Sequence, residues 1–309
     1  MLINRKTIIL LLAGTIILVY LPQFILGYWI RVITVIFMYG VISQGINLMS
    51  GFMGYLPLGN SMFFGIGAYV AAISMNKGIP FLFAVPLAAI IAILFSFTLG
   101  LPVLRLRGSY FAVATIGMSR AILSVVKNAN EITGGAMGIT LPIIDKSPRA
   151  TYNYFYFSML ALMIIASIII YLLMKSKYGF GIRSIKANEE AASSMGINTT
   201  YHKVAVWSIS ALFTSIAGAF YAYWMSFIGP EEVFDLMIVI NAIVINLIGG
   251  LGNVLGPIVG TFIVSLLSEV SWGHFLEYHL AVLGVAIIVI VFFFPKGIIG
   301  TIGNTLKRR

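Results

Sequence analysis

Residues able to do acid–base, nucleophilic or ligating chemistry are few in this chain, and their spacing suits none of it. Cysteine is absent, which excludes a disulfide framework, thiolate chemistry and any cysteine-ligated metal. The histidines, His202, His274 and His279, show no metal-ligand spacing. Glu231, Glu232, Asp235, Glu269 and Glu277 fall at the ends of apolar runs, and no carboxylate sits deep in one, where a proton relay would need it. Gly249-Gly-Leu-Gly-Asn-Val-Leu-Gly-Pro257 is glycine-rich but holds no lysine, so it is not a phosphate loop and the chain should not hydrolyse ATP. The expectation is no catalytic residue, no cofactor and no metal.

The polar chemistry that remains is concentrated in residues 175–203. Five of the nineteen Lys and Arg lie there: Lys175, Lys177, Arg183, Lys186 and Lys203. At the centre stand Glu189, Glu190, Ala191 and Ala192, followed by Met195 and Gly196. Residues 187–195 lack Gly, Pro and β-branched side chains, which predicts a short helix. Gly196 can take the left-handed conformation that stops it. Ala191, Ala192 and Met195 then form a small apolar face of the kind that fits a partner's groove. The plainer reading is a solvated amphipathic loop between two membrane helices.

The elements that must position this segment are dictated by composition. Hydrophobic residues make up 60% of the 309 positions and charged ones 9%, so most of the chain has lipid as its solvent. The fold class is all-α and polytopic. Ten apolar runs, at 7–26, 29–48, 57–76, 80–102, 109–126, 152–174, 204–227, 235–249, 253–270 and 278–295, read as about ten transmembrane helices in a single transmembrane domain, 1–309. The first run is long for a secretory signal and reads as a membrane helix. Alternating from a cytoplasmic N-terminus puts thirteen Lys and Arg inside and five outside, with both termini cytoplasmic. Residues 175–203 then form a cytoplasmic loop and 127–151 an extracytoplasmic one. The net charge of +10 is therefore read as orientation, with no nucleic-acid partner. Arg120 alone lies well within a span, close enough to its outer end to snorkel.

Two glycine-rich interruptions fall at membrane depth. One carries Gly51, Gly54, Pro57, Gly59 and Asn60, the other Gly249, Gly250, Gly252 and Asn253. Each follows an Asn-Leu pair, Asn47-Leu48 and Asn246-Leu247, which hints at an internal duplication. Unwound backbone must be buried in protein or line a wet cavity. These nine residues are therefore candidates for a translocation path, with Asn60 and Asn253 near its inner mouth. Close helix packing is the competing reading, and the likelier one for Gly65 and Gly67.

The segments 104–119, 130–139, 186–222, 244–257 and 293–300, in that order, resemble the branched-chain amino-acid ABC importer permeases, and most closely their M-type subunit. The resemblance covers essentially the whole chain. It implies an ABC importer permease fold with broken helices in a bacterial or archaeal cytoplasmic membrane. It also implies a homologous H-type permease, two cytoplasmic ABC ATPases and an extracytoplasmic substrate-binding protein as partners. Glu189, Glu190, Ala191, Ala192, Met195 and Gly196 would couple to the ATPases, and Thr133, Gly134, Gly135 and Gly138 would contact the binding protein. The chain departs from the family pattern at Ser109, Arg120, Leu123 and Ala136. Related permeases carry urea or short amides, and an ion-driven secondary transporter is the alternative from another class.

Overall fold

The computed structural model describes residues 5–142 and 147–274, together with 284, 285, 288, 292–294 and 297–301. Side chains are described from residue 13 onward, and those of 272–274 are left aside. The chain runs α1 (Arg5–Tyr20), α2 (Gly27–Asn47), α3 (Ser61–Asn76), α4 (Phe81–Val103), α5 (Ser109–Asn128) and the single turn α6 (Asn130–Thr133). There follow strand β1 (Ile139–Thr140), α7 (Pro148–Lys175), α8 (Lys177–Ala187), α9 (Glu189–Ser194) and α10 (Thr199–Met225). Strand β2 (Phe227–Ile228), α11 (Pro230–Val233), α12 (Leu236–Gly249) and α13 (Leu255–His274) complete the order.

Seven stretches among the described residues are long and apolar enough to cross a membrane: 27–53, 58–76, 81–103, 109–128, 148–175, 199–225 and 230–249. Two shorter apolar helices, 13–23 and 255–271, occupy the positions of the expected first and ninth spans. The expected tenth, 278–295, lies largely outside the described residues. The second expected span is longer than its apolar run, because α2 continues through a wide π-type turn at Leu48–Met53. The architecture is helical except for one two-residue ladder, in which Ile139 pairs with Ile228 and Thr140 with Phe227, antiparallel.

Local chemistry sets the helix ends. Pro148 and Pro230 open α7 and α11, where a missing N–H costs nothing. Asn188, Asn198 and Asp235 cap α9, α10 and α12 with side-chain oxygens. The bundle is built around α2, α3 and α10, most of whose residues are buried, while α4, α5 and α7 turn wide apolar faces outward to lipid. In hydrocarbon there is little hydrophobic drive between helices, so close approach must come from small residues. A Cβ on Gly67 would lie 2.0 Å from the Ser215 carbonyl oxygen, and one on Gly218 would lie 2.1 Å from that of Phe64. These two glycines put the α3 and α10 backbones in contact. They bear out the packing reading of Gly67.

Candidate functional site

The two glycine interruptions, two hundred residues apart in the chain, meet face to face. Asn47 at the end of α2 reaches across: its Nδ2 donates to the Asn253 carbonyl at 2.9 Å, and its Oδ1 accepts from the Gly252 N–H at 2.9 Å. One turn earlier, Gln44 Nε2 donates to the Val254 carbonyl at 2.8 Å. Asn246, the counterpart of Asn47, returns the contact by donating from Nδ2 to the Ser43 carbonyl at 3.0 Å. Each Asn-Leu pair thus supplies an amide that satisfies backbone of the other half. This is the arrangement unwound backbone needs at membrane depth.

The seam is dense. A Cβ on Gly51 would meet Asn47 Oδ1 at 2.0 Å and the Gly252 nitrogen at 2.4 Å. One on Gly59 would meet the Thr115 carbonyl at 1.7 Å, and one on Gly249 the Gly256 carbonyl at 1.8 Å. A Cβ on Gly297 would meet the Gly250 Cα at 2.4 Å. Gly51, Gly59, Gly249 and Gly250 are therefore buried and packed closely against neighbouring described residues. Gly54, at φ +85°, and Gly252, at φ +73°, hold left-handed turns that reach the surface beside Leu56, Leu251 and Asn253.

Asn60 departs from its expected place at a mouth. It is wholly buried, donating from Nδ2 to Ser210 Oγ at 3.0 Å and to Thr214 Oγ1 at 3.3 Å. Its Oδ1 accepts from Trp207 Nε1 at 3.0 Å. It ties the start of α3 to α10, a role hidden from the sequence because all three partners lie about 150 residues away. Pro57 is likewise buried.

The basic segment is wired into this seam. The single helix expected over 187–195 is split, because Asn188 turns extended and caps α9 by accepting from the N–H groups of Glu190 and Ala191, both at 3.0 Å. Gly196 takes φ +84° and ends the turn after Met195, as its lack of Cβ allows. Ala192 points inward and is buried, so the outer apolar face consists of Ala191 and Met195, the latter 76% exposed.

Glu189 also turns inward, with its side chain 14% exposed. Lys203, 4% exposed, uses all three ammonium protons: on Glu189 Oε1 at 2.7 Å, on the Leu104 carbonyl at 2.6 Å and on Tyr55 Oη at 3.3 Å. Tyr55, from the first interruption, donates its hydroxyl to Glu189 Oε2. Arg107 closes the cluster, with Nε 3.5 Å from Glu189 Oε2 and a guanidinium nitrogen 2.8 Å from Glu190 Oε1. Burial alone would raise the Glu189 carboxyl. Hydrogen bonds from Lys203 and Tyr55, with the charges of Lys203 and Arg107, outweigh it and hold the carboxyl below its ordinary value. Lys186 adds a second tie, its ammonium donating to the Gly51 carbonyl. Four segments (the first interruption, the α4–α5 turn, α9 and α10) meet at one carboxylate. Sequence spacing flagged Glu189 and Lys203 but not Tyr55, Leu104 or Arg107.

At the opposite end, the Thr-Gly-Gly segment folds on itself. Thr133 is buried, donating to the Val126 carbonyl at 2.6 Å and accepting from the Gly135 N–H at 3.2 Å. Gly134, Gly135 and Gly138 all hold positive φ, and a Cβ on Gly138 would meet the Ile228 carbonyl at 2.3 Å. That approach creates the small ladder. Thr133 and Gly135 thus shape the loop, while Ile132, Ala136 and Met137 form its exposed surface, Met137 at 88%. Arg120 pairs with Glu231 Oε2 at 3.7 Å, beside the Lys127–Glu231 ion pair, which gives its exposed guanidinium a partner on α11.

Between α2, α10, α12 and α13 a cavity of about 490 Å³ opens at this same end. Its lining includes Tyr39, one helical turn before Ser43, and Ile245, the neighbour of Asn246 in the seam. Sequence reasoning missed it, because no single helix carries its signature.

A bundle of lipid-facing helices, with two interruptions locked together next to a cavity, defines a multi-pass membrane permease. Residues 28–291 match the family described as branched-chain amino acid transport system, permease component, and the chain belongs to that family. It is 27% identical to the high-affinity branched-chain amino acid transport system permease protein LivM of Salmonella typhimurium, across 98% of this chain and 77% of that protein. Against the protein of the same description from Escherichia coli it is 28% identical, across 90% of this chain and 71% of the relative. The ribose import permease protein RbsC of Bacillus subtilis is 27% identical across 58% of this chain and 56% of its own. The chain is thus a LivM-like ABC transporter permease. No solved structure matches it.

Proposed function

We propose that this chain is the M-type half of a paired permease in a bacterial or archaeal cytoplasmic membrane. It would import branched-chain amino acids handed over by an extracytoplasmic binding protein and be driven by two ATPases. The H-type permease would be its partner, and residues 175–203 would face the cytoplasm, a placement the thirteen-to-five charge split of a ten-span reading supports. The observation that carries the reading is the Glu189 cluster. Ala191 and Met195 offer an exposed apolar contact to an ATPase, and Glu189, one turn away, is clamped to Tyr55 of the first interruption. Movement of α9 would therefore reach the first interruption through the Tyr55–Glu189 hydrogen bond and α10 through the buried Lys203–Glu189 pair, while Lys186 ties the adjoining α8 to Gly51. Gly54, Gly252 and Asn253 would line the inner exit, and Ile132, Ala136 and Met137, presented by the Thr-Gly-Gly turn, would meet the binding protein.

The test is binding-protein-dependent uptake of leucine, urea and acetamide into vesicles holding the assembled complex. Leucine uptake is expected, with loss of both uptake and ATPase association in Ala191→Arg. Uptake of urea or acetamide in place of leucine would overturn the cargo. Wild-type behaviour of Ala191→Arg would remove α9 from the joint.

A further inference from the structure

The cavity carries one charged group of each sign. Arg31, from the first turns of α2, lines it and forms no ion pair with any described residue; its guanidinium carbon lies 5.9 Å from the Tyr152 ring centre. Glu269, from α13, lines it as well and accepts from the Tyr28 hydroxyl, and forms no ion pair among the described residues. The same lining carries the apolar side chains of Val32, Val35, Met237, Ile245 and Val264. A cation, a carboxylate and an apolar pocket converging on one space of about 490 Å³ match a molecule with an anionic group, an ammonium group and a compact hydrocarbon side chain.

We propose that this cavity is a binding site for the free amino-acid zwitterion, with its carboxylate on Arg31, its ammonium on Glu269 and its side chain against Val35, Ile245 and Val264. The inference rests on the import reading and names the chemistry of its cargo. Arg31 and Glu269 do not pair with each other, so a zwitterion satisfies both at once. A neutral amide or a sugar would engage neither charge. A zwitterionic lipid headgroup shares the charge pattern. The assay separates the two sources.

Because the chain holds no cysteine, Ser265→Cys places one reporter thiol in the cavity wall of the assembled complex. Its modification by a sulfonate-bearing methanethiosulfonate is followed by the mass of this chain, in phosphatidylglycerol vesicles. Leucine at about ten times its apparent Kd is expected to slow modification about tenfold, since only the empty fraction reacts. Isovaleramide, with the same hydrocarbon and no charge, should not protect. Arg31→Gln should weaken leucine protection by at least about tenfold, the worth of a charge-assisted contact, and Arg31→Lys should restore part of it. Equal protection in wild type and Arg31→Gln, or none by leucine, would overturn the site. So would slow modification in phosphatidylethanolamine vesicles that leucine does not change, which would mark a lipid headgroup as the occupant. Leucine uptake by the wild-type complex is measured alongside. Uptake without protection sinks the site and leaves the import reading, while protection without uptake does the reverse.

Discussion

The two ends of the bundle solve the same problem by opposite means. Each must hold a polar excursion against the ends of apolar helices. At the basic end the excursion 175–203 is pinned by a buried charge cluster, with Lys203 4% and Glu189 14% exposed. At the other end 127–140 is pinned by backbone, through three positive-φ glycines and a two-residue ladder, and its ion pairs are surface ones, with Glu231 64% exposed. Exposed pairs contribute about 0–1 kcal/mol, whereas removing one partner of a buried pair costs about 3–5 kcal/mol. The difference teaches where rigidity is needed. The basic segment, proposed to couple to an ATPase, is bolted to the first helix interruption through Tyr55 and Lys186. A segment that is only touched from outside needs shape and little else.

The sharpest break of that contrast is Lys203→Met. It strands the Glu189 carboxylate and leaves the Leu104 carbonyl without its donor, so a loss of about 3 kcal/mol or more is expected, with uptake abolished. Thermal unfolding of the detergent-purified complex and vesicle uptake would read it. The double variant Lys203→Met with Glu189→Gln should recover part of the stability and little of the transport. Full recovery of transport would show that the cluster stabilises but does not transmit.

Gly138→Val should be next in size. It combines a positive φ with a Cβ 2.3 Å from the Ile228 carbonyl, so the ladder must open, at a cost of about 1–3 kcal/mol. Binding-protein-stimulated ATP hydrolysis should fall while basal hydrolysis persists, because the ATPase end is untouched. If stimulated hydrolysis is unchanged, the turn is not the docking shape.

The acid limit sharpens the comparison further. Glu189 has a folded pKa held below its ordinary value of 4.5. Its contribution is therefore fully present above that value and is lost as pH falls through the lower folded value. The unfolding midpoint of wild type should decline on that acid side, and Glu189→Gln should start lower and show a flatter decline. Parallel profiles would mean the carboxylate is not the acid-sensitive element.

Glu231→Gln should have the smallest effect, within about 1 kcal/mol, and added salt should shrink it further. A loss as large as that of Lys203→Met would erase the contrast between the two ends.

How much of this was legible in the chain follows from the range of the forces involved. Apolar runs of membrane length, the charge asymmetry at their ends and the glycine interruptions are local patterns, so the helical membrane class, most span positions and the basic segment could be read directly. Gly196 as a helix stop was equally local. The split at Asn188 was missed because an asparagine inside a helix-favouring run can end one helix and cap the next, and only its amide's partners tell which.

Residues 44–47 and 252–254 are separate glycine-flanked stretches until tertiary structure brings them together, and then the Gln44 and Asn47 side chains satisfy the unwound backbone of 252–254. Tyr55, Leu104 and Arg107 carry no motif, yet they complete the Glu189 cluster. Asn60 reads as a polar residue at a mouth and becomes a buried hub, because helices that approach through glycine contacts enclose whatever lies between them. The cavity with Arg31 and Glu269 belongs to four helices at once. Its existence was decided by how those helices diverge, which depends on side-chain packing across the bundle and on nothing periodic along any one of them.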